Sequence, residues 1–212
     1  MPDFFDRLET ARTRWNVLEH PFYQRWSAGE LTEGELAVYS GQYRHAVVAL
    51  ADASQQAADV ADADIAPGLR GHAIEEAEHV ALWDEFVEAV GGDIRVTATA
   101  ETSNCVKEWA GESDRPLLDT LVTLYSIESG QSVISETKRA GLVEHYAYTP
   151  DSPATEYFDV HAELDIEHAD QARRLIEPRL AEADQDHLLA VAEATMRANW
   201  ELLDGVEQLL GR

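Results

Sequence analysis

The chain has 212 residues, 45% of them hydrophobic, and a formal net charge of −25 from 16 basic and 41 acidic side chains. A surface this acidic repels nucleic acid and anionic lipid, and excludes both as partners. No apolar run approaches the roughly 18 to 20 residues of a membrane span, the first fifteen residues hold no apolar signal core, and the single Cys105 excludes an internal disulfide. The expectation is a cytoplasmic protein folded as one domain, residues 1–212. Only Lys107 and Lys138 are lysine. An acidic, lysine-poor surface around an ordinary core predicts adaptation to high salt, where a Debye length of about 3 Å at 1 M screens self-repulsion.

Helical periodicity runs through almost the whole chain. Phe4, Phe5, Leu8, Ala11 and Trp15 trace one face of a first helix that ends before Pro21. The short segment PFYQRWSAGE follows. Thr32 and Glu35 then form a capping box, each satisfying the other's backbone donor, and open a long helix through Val60. Pro67 restarts a helix that Gly91 and Gly92 stop. Asp93 to Ser103 is the least periodic stretch and reads as a loop, with IRVTATA a weak strand signal. A short helix lies around CVKEWAG, and Pro116 begins one long helix running through Tyr146. TPDSP turns the chain, Pro153 opens a helix reaching Leu180, and DHLLAVAEATMRANWELLDGVEQLL is the last. The expected fold is an all-α bundle of about seven helices with no internal repeat.

The segment YFDVHAELDIEHADQ holds His161, Asp165 and His168 at i, i+4 and i+7. At about 100° per residue, these share one stripe of a helix. Two imidazoles and a carboxylate on one stripe make a donor set suited to iron, manganese or zinc. Tyr157, one turn earlier, points the same way, whereas Glu163 and Glu167 fall on the opposite, solvated side. One helix rarely completes a metal site. In HAIEEAEHVALW, Glu76 stands three residues and Glu75 four residues before His79, so either shares its face. Two acid–histidine pairs on different helices are what a carboxylate-bridged dinuclear site uses. Glu128 follows Leu121, Leu124 and Tyr125 on an apolar stripe, where a carboxylate is costly unless paired or metal-bound. The candidate ligands are therefore Glu76 or Glu75, His79, Glu128, His161, Asp165 and His168. His72, also on the His79 face, reads as a satisfied surface histidine, with a seventh group or a donor behind the ligands as the alternatives. The middle of the first long helix contains no acid, unlike a ferritin-like bundle. That leaves Gln42, Tyr43 and His45 as pocket lining.

Four segments in order, LEHPFYQRWSAGELTEGELAVYSGQYRHAV, EEAEHVALWDEF, YSIESGQSVISETKRAGL and YFDVHAELDIEH, resemble the TenA/PqqC superfamily over nearly the whole chain. The last two resemble its branch of haem-oxygenase-like di-iron oxidases, which includes the CADD-like p-aminobenzoate synthases. The resemblance implies a haem-oxygenase-like fold, two metal ions (both iron, or manganese and iron) and O2 as co-substrate. It implies the ligand set named above, although the first glutamate of CADD-like relatives lies further upstream of the histidine. Lys138, Tyr23 and Tyr157 match a lysine and tyrosines near those metals, and in that group a tyrosine of the protein itself is taken as the source of p-aminobenzoate. A small-molecule substrate and a homodimer are implied as well.

Other branches match less closely. The thiaminase II branch uses a Gln-Asp-Tyr segment, a cysteine nucleophile and a C-terminal Tyr-Glu pair. Here the first reads Gln42-Tyr43-Arg44, and RANWELL lacks the pair. The PqqC branch binds a polyanionic quinone through basic residues in which this chain is poor. A non-catalytic metal-binding or regulatory protein is the remaining alternative. The sequence is read as a metal-dependent oxidoreductase that uses O2 on a small molecule. The charge pattern further predicts that the thermal unfolding midpoint rises as salt is raised from dilute buffer to about 1 M. A midpoint indifferent to salt would remove the salt-adapted reading.

Overall fold

A computed structural model describes residues 3–212. Among the described residues there are nine α-helices and no strand. They are α1 (Phe4–Arg14), α2 (Pro21–Ser27), α3 (Glu33–Val60), α4 (Ala66–Ala89), α5 (Ala100–Ala110), α6 (Leu117–Glu128), α7 (Gln131–His145), α8 (Glu156–Ile176) and α9 (Gln185–Leu209). Short 3-10 turns occupy Val17–Glu19 and Glu177–Arg179. Among the described residues no helix is long and apolar enough to cross a membrane.

Nine helices replace the expected seven for local reasons. PFYQRWS winds as α2 because Pro21 sits in its first turn and the His20 ring accepts from the Phe22 N–H, capping the start. The long helix expected after Pro116 breaks between Glu128 and Gln131. At a helix end the last carbonyls lose their partners. Arg12 of α1 reaches across to the Ser126 carbonyl at 3.1 Å and also bonds the Ser129 hydroxyl. A Cβ on Gly130 would come within 2.7 Å of that guanidinium, so glycine gives the room for it. The expected loop at 93–103 is shorter than its composition suggests. The Thr99 side chain accepts from Thr102 N–H and starts α5 at Ala100. IRVTATA forms no strand.

The expected capping box is present, with Thr32 and Glu35 each bonding the other's backbone. It fixes the start of α3, which packs against α4, α5, α6 and α9, while α8 packs against α4, α6 and α7. Between them lies an aromatic core of Phe22, Tyr23, Trp26, Tyr39, Tyr43, Trp83, Phe86, Tyr157 and Phe158, each buried. Most of these rings meet edge to face, as in Trp83 on Tyr157 at 4.7 Å and 83°. The Trp26 indole donates to the Lys138 carbonyl at 3.0 Å, which joins α2 to α7 and satisfies a buried donor. Gly141 of α7 permits this approach, because a Cβ there would meet Trp26 Cδ1 at 2.7 Å. Gly141→Ala should therefore overpack the α2–α7 contact and lower unfolding stability by about 1–3 kcal/mol, measurable by chemical denaturation. An unchanged midpoint would mean that the two helices can separate freely.

Candidate metal centre

Helix α4 carries His72, Glu76 and His79, and α8 carries His161, Asp165 and His168, both sets at i, i+4 and i+7. The helices run antiparallel, so His72 faces His168 with ring centroids 4.0 Å apart, and His79 faces His161 at 4.3 Å. HAIEEAEH and HAELDIEH are thus a short internal correspondence within two helices of otherwise different sequence. Glu128, the last residue of α6, completes the group from a third helix.

The donor atoms converge. Glu76 Oε1 lies 3.2 Å from His79 Nδ1, 3.5 Å from His168 Nδ1 and 3.7 Å from His72 Nε2. Glu128 Oε1 lies 2.9 Å from His72 Nε2, and Asp165 Oδ1 lies 3.9 Å from His168 Nδ1. Two sets place all their ligand atoms within 4.8 Å of one another: His72, Glu76, Glu128 and His168, and Glu76, His79 and His161. Glu76 belongs to both. These contacts lack hydrogen-bond geometry. Of fourteen buried side-chain N and O atoms without a hydrogen-bond partner among the described residues, ten belong to these seven residues. Buried polar atoms are normally satisfied, so a cluster of orphans aimed at shared points is the pattern expected of cation ligands. The residues fit a metal pair.

Their outer atoms are anchored. His161 Nδ1 donates to the Tyr157 carbonyl at 2.7 Å, which leaves Nε2 facing inward. His168 Nε2 donates to Glu75 Oε2 at 2.8 Å, which leaves Nδ1 facing inward. Holding the far nitrogen fixes the tautomer and the ring plane. The choice left open between the two glutamates resolves in geometry: Glu76 is 1% exposed within the cluster, and Glu75 stands behind His168. The surface reading of His72 is corrected. It is 4% exposed, on the inward stripe one turn before Glu76. Its spacing from Glu76 and His79, repeated on α8, was the available signal.

Electrostatics press the same way. Burial pushes the Asp165 carboxyl well above the usual carboxylate range, reinforced by Glu128 and Glu76 nearby. Burial also opposes ionisation of Glu76, but the imidazoles of His168, His72 and His79 outweigh it and hold that carboxyl well below its ordinary value. Burial works against a charged His72, yet Glu128 beside it raises the imidazole to about 10. Burial lowers His161 to about 4. Three carboxylates in one dry pocket cannot all ionise without a compensating positive charge.

Beside the cluster stands a cage of tyrosines. Tyr157 stacks on the His161 ring at 3.8 Å. Lys138 is 2% exposed, with Nζ 4.6 Å from the Tyr23 ring centre and 4.7 Å from that of Tyr43. Its ammonium lies 2.9 Å from the Tyr39 hydroxyl, which is 2.7 Å from the Tyr23 hydroxyl. Burial lowers Lys138 to about 7. Tyr39 was not among the expected site residues, although it shares the Tyr43 face at i−4. Gln42 and His45 are not pocket lining. The Gln42 amide is consumed by Thr97, Thr99 and Thr102, and His45 bonds the Val96 carbonyl, so both pin the 93–102 segment to α3. Cys105 is fully buried, and burial drives its thiol well above the normal range, so it lacks the thiolate of a nucleophile.

Residues 70–200 match a protein family described as "Iron-containing redox enzyme". The chain belongs to that family. It is 30% identical over 218 residues to a 4-aminobenzoate synthase of Chlamydia muridarum, covering 95% of this chain and 89% of that protein. It is 29% identical over 228 residues to a 4-aminobenzoate synthase of Nitrosomonas europaea, covering 97% of this chain and 91% of that one. Among solved structures, a domain of unknown function with a heme oxygenase-like fold from Shewanella denitrificans superposes with a TM-score of 0.83 at 17% identity, covering 100% of this chain and 94% of that one. The fold is haem-oxygenase-like.

The family match spans all seven clustered residues and Lys138, whereas Tyr23, Tyr39 and Tyr43 lie N-terminal to it. The chain is an iron-containing redox enzyme by family, and the helices inside the family match pack against a tyrosine-rich segment that precedes it. Lys138 makes the cage sensitive to pH. Its folded value of about 7 lies below the ordinary 10.5, so its contribution to stability is full above 10.5 and is lost as pH falls to about 7. Lys138→Met should gain stability relative to the parent chain across that fall and hold a constant lead below it. Denaturation midpoints of both proteins across the range check this, and a constant gap throughout would show that Lys138 is charged when folded.

Proposed function

We propose that the chain holds two iron ions between α4, α6 and α8 and, with O2 and an external reductant, oxidises a tyrosine of its own to 4-aminobenzoate: the Cα–Cβ bond breaks, Cβ becomes the carboxylate, and the phenol oxygen leaves as water in exchange for an amine nitrogen, for which Lys138 Nζ over the Tyr23 ring is the amine in place. What supports the ions is the convergence of ten buried, unpartnered donor atoms on seven residues. His72, His168 and Glu128 would hold one ion and His79 and His161 the other, with Glu76 shared and Asp165 beside His168 on α8. Such a pair, when bound, supplies the capacity to activate O2 for oxidation. Four neutral imidazoles and three hard carboxylates suit both oxidation states of iron. The relatives named 4-aminobenzoate synthase support the product.

The remaining residues have roles that follow from their positions. Tyr157 covers the His161 ring and, with Trp83 and Phe158, keeps water from that side. Tyr23 is taken as the tyrosine that is oxidised, because its hydroxyl is linked to Lys138 through Tyr39. Its hydroxyl proton has a path to Tyr39 Oη and on to Lys138 Nζ, across 2.7 Å and 2.9 Å. Lys138, neutral above about pH 7, can accept it. The same Nζ lies over the Tyr23 ring.

Protein grown on ring-labelled tyrosine and supplied with iron, reductant and O2 should release labelled 4-aminobenzoate, at most one molecule per chain. Tyr23→Phe should bind iron normally and release none. Glu76→Gln should lose iron and product together, and Glu75→Ala should weaken iron binding by about 10–100-fold by freeing the His168 ring. Unlabelled product, or iron well below one ion per chain after iron-supplemented expression, would count against the proposal.

A further inference from the structure

A groove of about 210 Å³ runs between α4 and α8 and reaches the ligand residues from the surface. Gly68, Gly71, His72 and Glu75 line it from α4, and Glu167 and His168 from α8. Among the described residues, two larger cavities touch none of the seven clustered side chains. The groove has room for several waters at about 30 Å³ each. Its floor is the pair of buried His72 and His168 rings, 4.0 Å apart. The inward nitrogens of the same two rings, His72 Nε2 and His168 Nδ1, belong to the set completed by Glu76 and Glu128. One layer of imidazole therefore separates the groove from that ligand set. The His168 ring is tied on the groove side by one hydrogen bond, from Nε2 to Glu75 Oε2 at 2.8 Å. The Glu75 side chain is 49% exposed, and a bond to a group so well solvated opens at little cost. The opposite end is closed: Tyr157, Trp83 and Phe158 are all buried around His161.

Two glycines keep the groove open. A Cβ on Gly68 would come within 2.5 Å of Gln171 Nε2 on the other wall. Gly71 has ordinary helical backbone, and a Cβ there would meet nothing within 4 Å, so neither strain nor crowding calls for glycine. Alanine favours a helix over glycine by about fivefold, so Gly71 weakens α4 and leaves a bare wall next to His72. Long side chains on a helix lean toward its N-terminus. One placed at position 71 would lie over the Gly68 turn and across the groove. The rim suits a cation, because Glu75 and Glu167 stand exposed on it, with Arg174 as the opposing charge. In a chain of net charge −25, such a cleft concentrates cations at its mouth.

We propose that this groove is the passage by which Fe(II) reaches and leaves the centre, with the Glu75–His168 bond as its latch. The passage rests on the proposed metal pair but not on the oxidation of Tyr23.

Co(II), which is stable in air and absorbs visibly when bound, is the probe. Uptake by metal-free, full-length protein is followed by stopped-flow absorbance, release by mixing with excess chelator, and affinity by equilibrium titration. Gly71→Leu should slow uptake and release together by about tenfold or more and leave affinity within about twofold. Gly71→Ala, whose methyl group leaves the groove open, should keep the parental rates. Entry through a parted bundle would instead be slowed by both substitutions alike, by about fivefold, because both residues favour α4 over glycine. Glu75→Ala removes the latch and should speed release by about tenfold or more. If Gly71→Leu fails to fold, Gly71→Cys folded first and then capped with a benzyl disulfide supplies the plug, since Cys105 is fully buried and escapes the label. Rates unmoved by the plug, equal slowing by alanine and leucine, or release unchanged in Glu75→Ala would each overturn the passage and leave the metal pair standing. A parent chain that takes up no Co(II) overturns the metal pair and the passage together.

Discussion

Three carboxylates share one dry space between two antiparallel helices, and the rest of the molecule is arranged around that constraint. Glu76, Glu128 and Asp165 are each 1% exposed or less. Like charges so placed repel strongly when water is excluded. The four facing imidazoles offset part of this, at the cost of proton positions that an isolated cluster would not choose: a raised His72, a raised Asp165 and a depressed His161. The scaffold must therefore hold the group together from outside. It does so through large aromatic rings on one side, through Glu75 behind His168, and through a break after Glu128 that ends α6 where its carboxylate is needed.

That break also explains how distant parts of the chain join. Arg12 of α1 caps the freed end of α6. The helix that carries Glu128 therefore depends on a side chain from the first helix. On the far side, the Tyr43 ring lies 4.7 Å from Lys138 Nζ, inside the tyrosine cage.

Much of this arrangement was legible in the residues alone. Helical spacing placed His79, His161, Asp165 and His168 on inward stripes, and the apolar run before Glu128 marked it as buried. Spacing could not choose between Glu75 and Glu76, because both share a face with His79, and only the rotation of α4 against α8 decides. His72 was misread because a histidine on an acidic helix looks solvated until its partner stripe is seen. Gln42 and His45 were misread for the opposite reason. They sit beside a real cage residue, but the irregular 93–102 segment that occupies their polar groups carries no periodic signal. The helix count differed where a side chain from another element, Arg12 in one case, satisfies backbone groups that a sequence window does not connect.

The scarcity of lysine gives the folded chain an unusual chemical silence. Lys107 is exposed and Lys138 is sealed among aromatic rings. An amine-directed reagent or a lysine-specific protease thus meets one side-chain target while the bundle is closed. The second appears only when α7 lifts from α2 and α3, so the rate at which Lys138 becomes reactive is a clock for the opening of that interface.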